Sequence, residues 1–166
     1  NKDELQEAVD LWHIDKEEAL NSHGHISTWN TSLINDMRGL FQNKEEFNQD
    51  ISQWNVSNVN DMTFMFYGAK KFNQPLNKWD VSNVTTMNGM FAGASSFNQD
   101  ISQWNVSNVT DMIGMFHRVL LFNQDISIWN VSNVTNMREM FYNTSSFNGD
   151  ISGWDVSSVT NMKSMF

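Results

Sequence analysis

The sequence predicts an α/β repeat solenoid with one short strand and one short helix in each 25-residue coil and a helical cap at its N-terminal side. Two observations carry this expectation. The first is a strict period. Trp29, Trp54, Trp79, Trp104, Trp129 and Trp154 recur every 25 residues. Met37 to Met162 and Phe41 to Phe166 keep the same interval, as does a further row of Phe47, Phe72, Phe97, Phe122 and Phe147. Six units succeed one another without an inserted or lost residue. Such self-similarity is the mark of stacked repeats, and a slipped residue would misalign every row above it. The second observation is the pattern inside one unit, taken here from Phe47 to Lys71. Ile51, Trp54 and Val56 suit an extended strand. Val59, Met62, Met65 and Phe66 follow at helical spacing, with Asn58 as N-cap, Asp61 in a capping-box position and Gly68 as a stop.

The N-terminal element comes first in the chain. Residues 1–21 lie outside the period, and Leu5, Ala8, Val9, Trp12, Ala19 and Leu20 form the apolar stripe of an amphipathic helix. Its other face carries Asp3, Glu4, Glu7, Asp10, Asp15, Glu17 and Glu18 against Lys2 and Lys16, a net of −5. It is expected to cover the open side of the first coil. Residues 22–166 then form the six-repeat solenoid, in which neighbouring coils shield each other's apolar faces. Strands stack at about 4.8 Å and helices at roughly 8–10 Å. A coil containing both is expected to bend the stack with its strands inside. The last unit is truncated and no C-terminal cap is visible, which points to further units or to end-to-end association through that coil.

Composition excludes several classes. The chain has no Cys, so neither a disulfide framework nor a thiolate metal site is available. A net charge of −9 argues against nucleic acid, whose backbone calls for a cationic surface. No apolar run approaches the ~18 residues of a membrane helix.

The run FNQDISQWNVSNVTDM at 97–112, followed by GMF at 114–116, resembles the BspA-like leucine-rich-repeat surface proteins of bacteria, mycoplasmas and some microbial eukaryotes. GHISTWNTSLINDMRGLF at 24–41 is similar to the first unit of such arrays. The resemblance implies a leucine-rich-repeat-like solenoid displayed outside the cell, at the surface or secreted, with binding or adhesion as its role. It brings no catalytic residues with it. Here Met, Phe, Trp and Val stand where ordinary leucine-rich repeats have Leu.

Polar residues in the frame have a structural reading. The row Asn48 to Asn148 and the row Ser32 to Ser157 suit turn backbone that strands leave unpaired. Asp50, Asp100, Asp125 and Asp150 share a position, broken by His25 and Pro75, and read as solvated turn carboxylates, with a bound cation as the open alternative. His23 and His25 lack the further ligands of a metal site. No Ser-His-Asp set or Gly-rich phosphate loop exists, so no catalytic residue, metal or cofactor is assigned.

Positions that vary within a constant frame are the candidates for binding. Gln53, Lys78, Gln103 and Ile128 precede the repeat Trp, and Asn55, Asp80, Asn105 and Asn130 follow it. If strands line the inner face, these eight form a ligand-binding face. Phe64 takes a slot that is Gly39, Gly89 and Gly114 elsewhere, and Val119, Leu120 and Leu121 replace Ala94, Ser95 and Ser96, giving a candidate apolar patch. The expectation is a non-enzymatic extracellular module that binds a protein or glycan. The alternatives are a lattice-matching binder such as an ice-binding protein, through Thr85, Thr110, Thr135 and Thr160, and a structural spacer within a larger surface protein.

Overall fold

A computed structural model describes all residues, 1–166. Two helices open the chain: α1, Lys2–Ile14, and α2, Lys16–His23. The single helix expected over 1–21 is broken at Asp15, which leaves helical geometry and turns its carboxylate to the Glu18 N–H as the N-cap of α2. A single 3-10 turn, Ile26–Thr28, follows. From there to Phe166 the chain runs in turns, with no further helix and no multi-residue strand.

The α/β class is therefore overturned. Neither a strand nor a helix forms in any coil, and the leucine-rich-repeat-like architecture goes with them. The reason lies in the backbone. Each coil holds two left-handed slots. The first is occupied by Gly39, Phe64, Gly89, Gly114, Glu139 and Ser164, the second by Asn43, Gly68, Gly93, Arg118 and Asn143. A positive φ every few residues ends any right-handed helix. Gly68 thus occupies a recurrent left-handed slot, and Asp61 makes a local turn by accepting the Thr63 N–H.

Around these slots the N–H groups alternate in direction. Those of Met62, Phe64, Phe66 and Gly68 donate to carbonyls of Thr86, Asn88, Met90 and Ala92 on the next coil. Those of Met65, Tyr67 and Ala69 close turns onto the carbonyls three residues back. Half of this backbone stitches coil to coil and half folds each coil on itself. Only one parallel bridge per coil pair results, running through Asp36, Asp61, Thr86, Asp111, Asn136 and Asn161. Ile51, Trp54 and Val56 also turn, because the Trp54 N–H returns to the Ile51 carbonyl. With no helical layer, the wedge expected to bend the stack does not exist.

The coils are held in register by columns. Phe41, Phe66, Phe91, Phe116, Phe141 and Phe166 stack at 5.3 to 5.9 Å between centroids. The Phe47 row runs beside them at 5.8 to 6.2 Å, and inside a coil the two rows touch face to face, as Phe66 and Phe72 do at 4.0 Å. The Met stripe lines the same core, with Met62, Met65, Met87 and Met90 fully buried. Side chains supply the cross-coil bonds that the backbone omits. Trp104 Nε1 donates to the Leu76 carbonyl, and the other repeat tryptophans from Trp54 on do likewise one coil apart. Asn98 Oδ1 accepts the Asn123 N–H, and Asn73 Oδ1 accepts that of Asn98. Asn83 Nδ2 donates to the Ser57 carbonyl. No buried side-chain nitrogen or oxygen lacks a partner.

Helix α1 takes the place of a preceding coil. It buries Leu5, Ala8, Val9 and Trp12. Along it, Lys2 pairs with Asp36, Gln6 Nε2 donates to the Leu40 carbonyl, and Asp10 accepts from Lys44. A helix completes few outside backbone bonds, so its side chains, spaced by one turn, reach the polar edge of the first coil instead.

Candidate functional site

The largest cleft, about 690 Å³, runs along the side of the stack that carries the second left-handed slot. Five consecutive coils contribute to it. Its floor is Gly68, Ala92 and Gly93. Tyr67 and Lys70 stand on one side with Glu45; His117, Arg118 and Leu120 stand on the other, with Asn143 and Ser145 beyond. The hollow exists because the coil at 72–96 puts Ala92, Gly93 and Ser95 where its neighbours put Tyr67, Gly68 and Lys70, or His117, Arg118 and Leu120. A smaller cleft of about 270 Å³ adjoins it, sharing Tyr67, Ala92 and His117 and adding Phe64, Ile113 and Glu139.

Aromatic and charged groups collect here. Tyr67 is 41% exposed and meets the edge of Phe64 at 5.5 Å. His117 stacks on Tyr142 at 5.1 Å, so both tyrosines of the chain stand on this side. Burial pushes the His117 imidazole below its ordinary range, against the pull of the Glu139 carboxylate 3.4 Å away, and leaves it neutral at pH 7. Hydrogen bonding from Arg138 holds the Glu139 carboxyl below the usual carboxylate range. Lys70 is paired with Glu45 at 2.8 Å. Arg118 is exposed and forms no ion pair.

Of the residues singled out in the sequence, Leu120 lines the larger cleft and Phe64 the smaller one, which share Tyr67, Ala92 and His117, and Leu121 is exposed beside Leu120. Val119 does not belong to that patch. It is fully buried in the core row of Ala69 and Ala94, because its slot points inward. The eight residues flanking the tryptophans are all exposed, on turns and not on strands, and none lines the cleft. Asn55, Asp80, Asn105 and Asn130 each accept the backbone N–H of the Ser two residues on, so the frame itself uses them. Gln53, Lys78, Gln103 and Ile128 accept no such turn bond, and Gln53 and Gln103 donate only to the neighbouring Ser52 and Ser102 hydroxyls.

Asp50, Asp100, Asp125 and Asp150 make the same turn bond, to Ser52, Ser102, Ser127 and Ser152. The backbone N–H of Ser52, Ser102 and Ser152 lowers the pKa of its Asp, and the Ser127 hydroxyl lowers that of Asp125. No three His, Asp or Glu side chains converge to hold a metal. The hydroxyls of Thr85, Thr110, Thr135 and Thr160 donate to carbonyls one coil back, which commits their protons.

Tyr67, Lys70 and Arg118 carry no motif in the sequence, and His117 has no partner there for a catalytic triad. One signal in the sequence marks Tyr67 and His117. The slot at 42, 67, 92, 117 and 142 reads Gln, Tyr, Ala, His, Tyr within an otherwise regular frame.

The family described as "Mycoplasma protein of unknown function, DUF285" matches residues 10–118 and 76–166. The two overlapping matches span nearly the whole chain, and the chain belongs to this family of repeat proteins. No curated protein and no solved structure matches it. No helix is long and apolar enough to cross a membrane.

Proposed function

We propose that the chain is a non-enzymatic module displayed outside the cell that binds an extended macromolecular ligand along the five-coil cleft. One observation carries this reading. Columns of identical residues fix the scaffold, whereas the three slots that shape the cleft change from coil to coil. Packing needs do not dictate those changes, and clefts with a few convergent polar groups are where ligands bind. The likeness of the repeat to BspA-like surface arrays supports the extracellular setting and the adhesive role.

The test is a combined glycan and protein array probed with three forms. Ser95→Trp fills the cleft; Gln53, Lys78 and Gln103 all changed to Ala strip the Trp-flanking face; wild type is the reference. Loss of signal with Ser95→Trp alone is expected. Loss with the triple variant alone would move the site to the Trp-flanking face. Equal signals from all three would end the proposal.

A further inference from the structure

Arg118 is out of place by the logic of its own slot. The second left-handed position is Asn43, Gly68, Gly93 and Asn143 in the other coils, the two residue types that tolerate a positive φ. Arg118 adopts φ 59 there. An arginine gains nothing from that conformation, and strain held at a cleft is a pointer to use. Its backbone N–H does what the slot requires, donating to the Tyr142 carbonyl, while its side chain forms no ion pair. The other charges of the cleft neutralise each other, since Lys70 holds Glu45. On a chain of net charge −9, the cleft therefore presents one unspent guanidinium.

The surroundings narrow the ligand. Gly68, Ala92 and Gly93 make a floor bare but for one methyl group, which lets a sugar ring come close. Tyr67 rises from that floor as an exposed aromatic face. The walls carry mostly polar and charged side chains, with Leu120 and the Tyr67 ring as their apolar part, and hold no deep apolar pocket of the kind a peptide's anchor side chain fills. The cleft crosses five coils, which suits the interior of a chain and not its end. Resting on the cleft reading above, we infer that the occupant is a linear, uronate-bearing polysaccharide. Its carboxylate takes the Arg118 fork, which matches carboxylate geometry bidentately. A neighbouring sugar ring lies against Tyr67.

Calorimetry with a hyaluronan octasaccharide tests this, with neutral chitohexaose and hexaglutamate as the other arms. Wild type is expected to bind the hyaluronan oligomer at least tenfold more tightly than either, and more weakly as salt rises. Arg118→Gly is expected to lose at least tenfold while its melting temperature holds or rises, since glycine suits the slot. Arg118→Lys is expected to recover only part, and Tyr67→Ala to weaken binding independently. Lys78→Ala, outside the cleft, is expected to change nothing. Equal binding by Arg118→Gly, or no binding of the octasaccharide by wild type, overturns the inference. Chitohexaose binding as tightly removes the acidic class and leaves the cleft in place. Tighter hexaglutamate binding replaces the saccharide by an acidic peptide. The array with Ser95→Trp decides separately whether the cleft binds anything.

Discussion

A side chain in a left-handed slot is placed by its backbone before it makes any contact, and Phe64 shows the consequence. Its ring leans over Gly89 on the next coil so closely that a Cβ on Gly89 would lie 2.5 Å from two ring carbons. Gly89→Ala is expected to cost about 2–4 kcal/mol, from overpacking together with the positive φ. Phe64→Gly should rescue the overpacking part, leaving only the backbone penalty of about 1–2 kcal/mol. Denaturant midpoints of the two single variants and the double variant would measure this coupling, and additive costs would refute the contact. Trp104 offers a second test. It is 4% exposed, and Trp104→Phe keeps most of the ring but removes one of the two hydrogen bonds to the Leu76 carbonyl, which retains the Trp79 N–H. A loss of about 0.5–1.5 kcal/mol is expected from that bond, with some added for the missing volume.

The turn carboxylates give the molecule a pH dependence of known sign. Folded Asp50, Asp100, Asp125 and Asp150 have pKa values below the ordinary carboxylate value. Their contribution is complete above the unfolded value of about 4 and is lost as pH falls through the folded one. Replacing all four by Asn, which makes the same turn at Asn55 and Asn105, should move the acid-unfolding midpoint to lower pH in a circular dichroism titration. An unmoved midpoint would mean that other groups govern acid unfolding.

At the scale of the element, the unit is a coil whose bonds point alternately inward and onward. Each Asn of the 48, 73, 98 and 123 row caps a backbone N–H one coil later, and Asn98 also accepts from Gln124. Asn98→Ala should cost about 0.5–1.5 kcal/mol, because it removes the bond to the exposed Asn123 N–H. Hydrogen exchange at Asn123 would show the effect, and unchanged protection there would contradict it. The spacing of Val59, Met62, Met65 and Phe66 looked helical for a physical reason. A run of turns closing three residues back buries nearly the same positions as a helix closing four back. The sequence carries both periods equally well. Phe64, Arg118 and Glu139 in left-handed slots concealed the feature that separates them, since none is a residue that announces a positive φ.

For the whole molecule, stability is shared between neighbours, so register matters more than length. Deleting residues 72–96 as one block should leave a folded, shorter stack, because Phe66 then meets Phe116 and Trp54 precedes Trp104 at the usual interval. Inserting a single Ala after Gln74 should unfold it, since every column beyond that point would shift by one residue. Melting curves of the two variants would check this, and the reverse order of stability would refute the columnar account. The 25-residue period, the core rows and the helical N-terminal segment could be read from the chain alone, because each is a matter of which residues are apolar and how often they return. The break at Asp15, the replacement of strands and helices by turns, and the cleft were decided only in three dimensions. Backbone hydrogen bonds choose between partners three residues and 24 residues away, and nothing in local sequence weighs one against the other. The cleft is a difference between coils, a small Ala92 and Gly93 between a Tyr67 and an Arg118, and a difference becomes a hollow only once the coils are stacked.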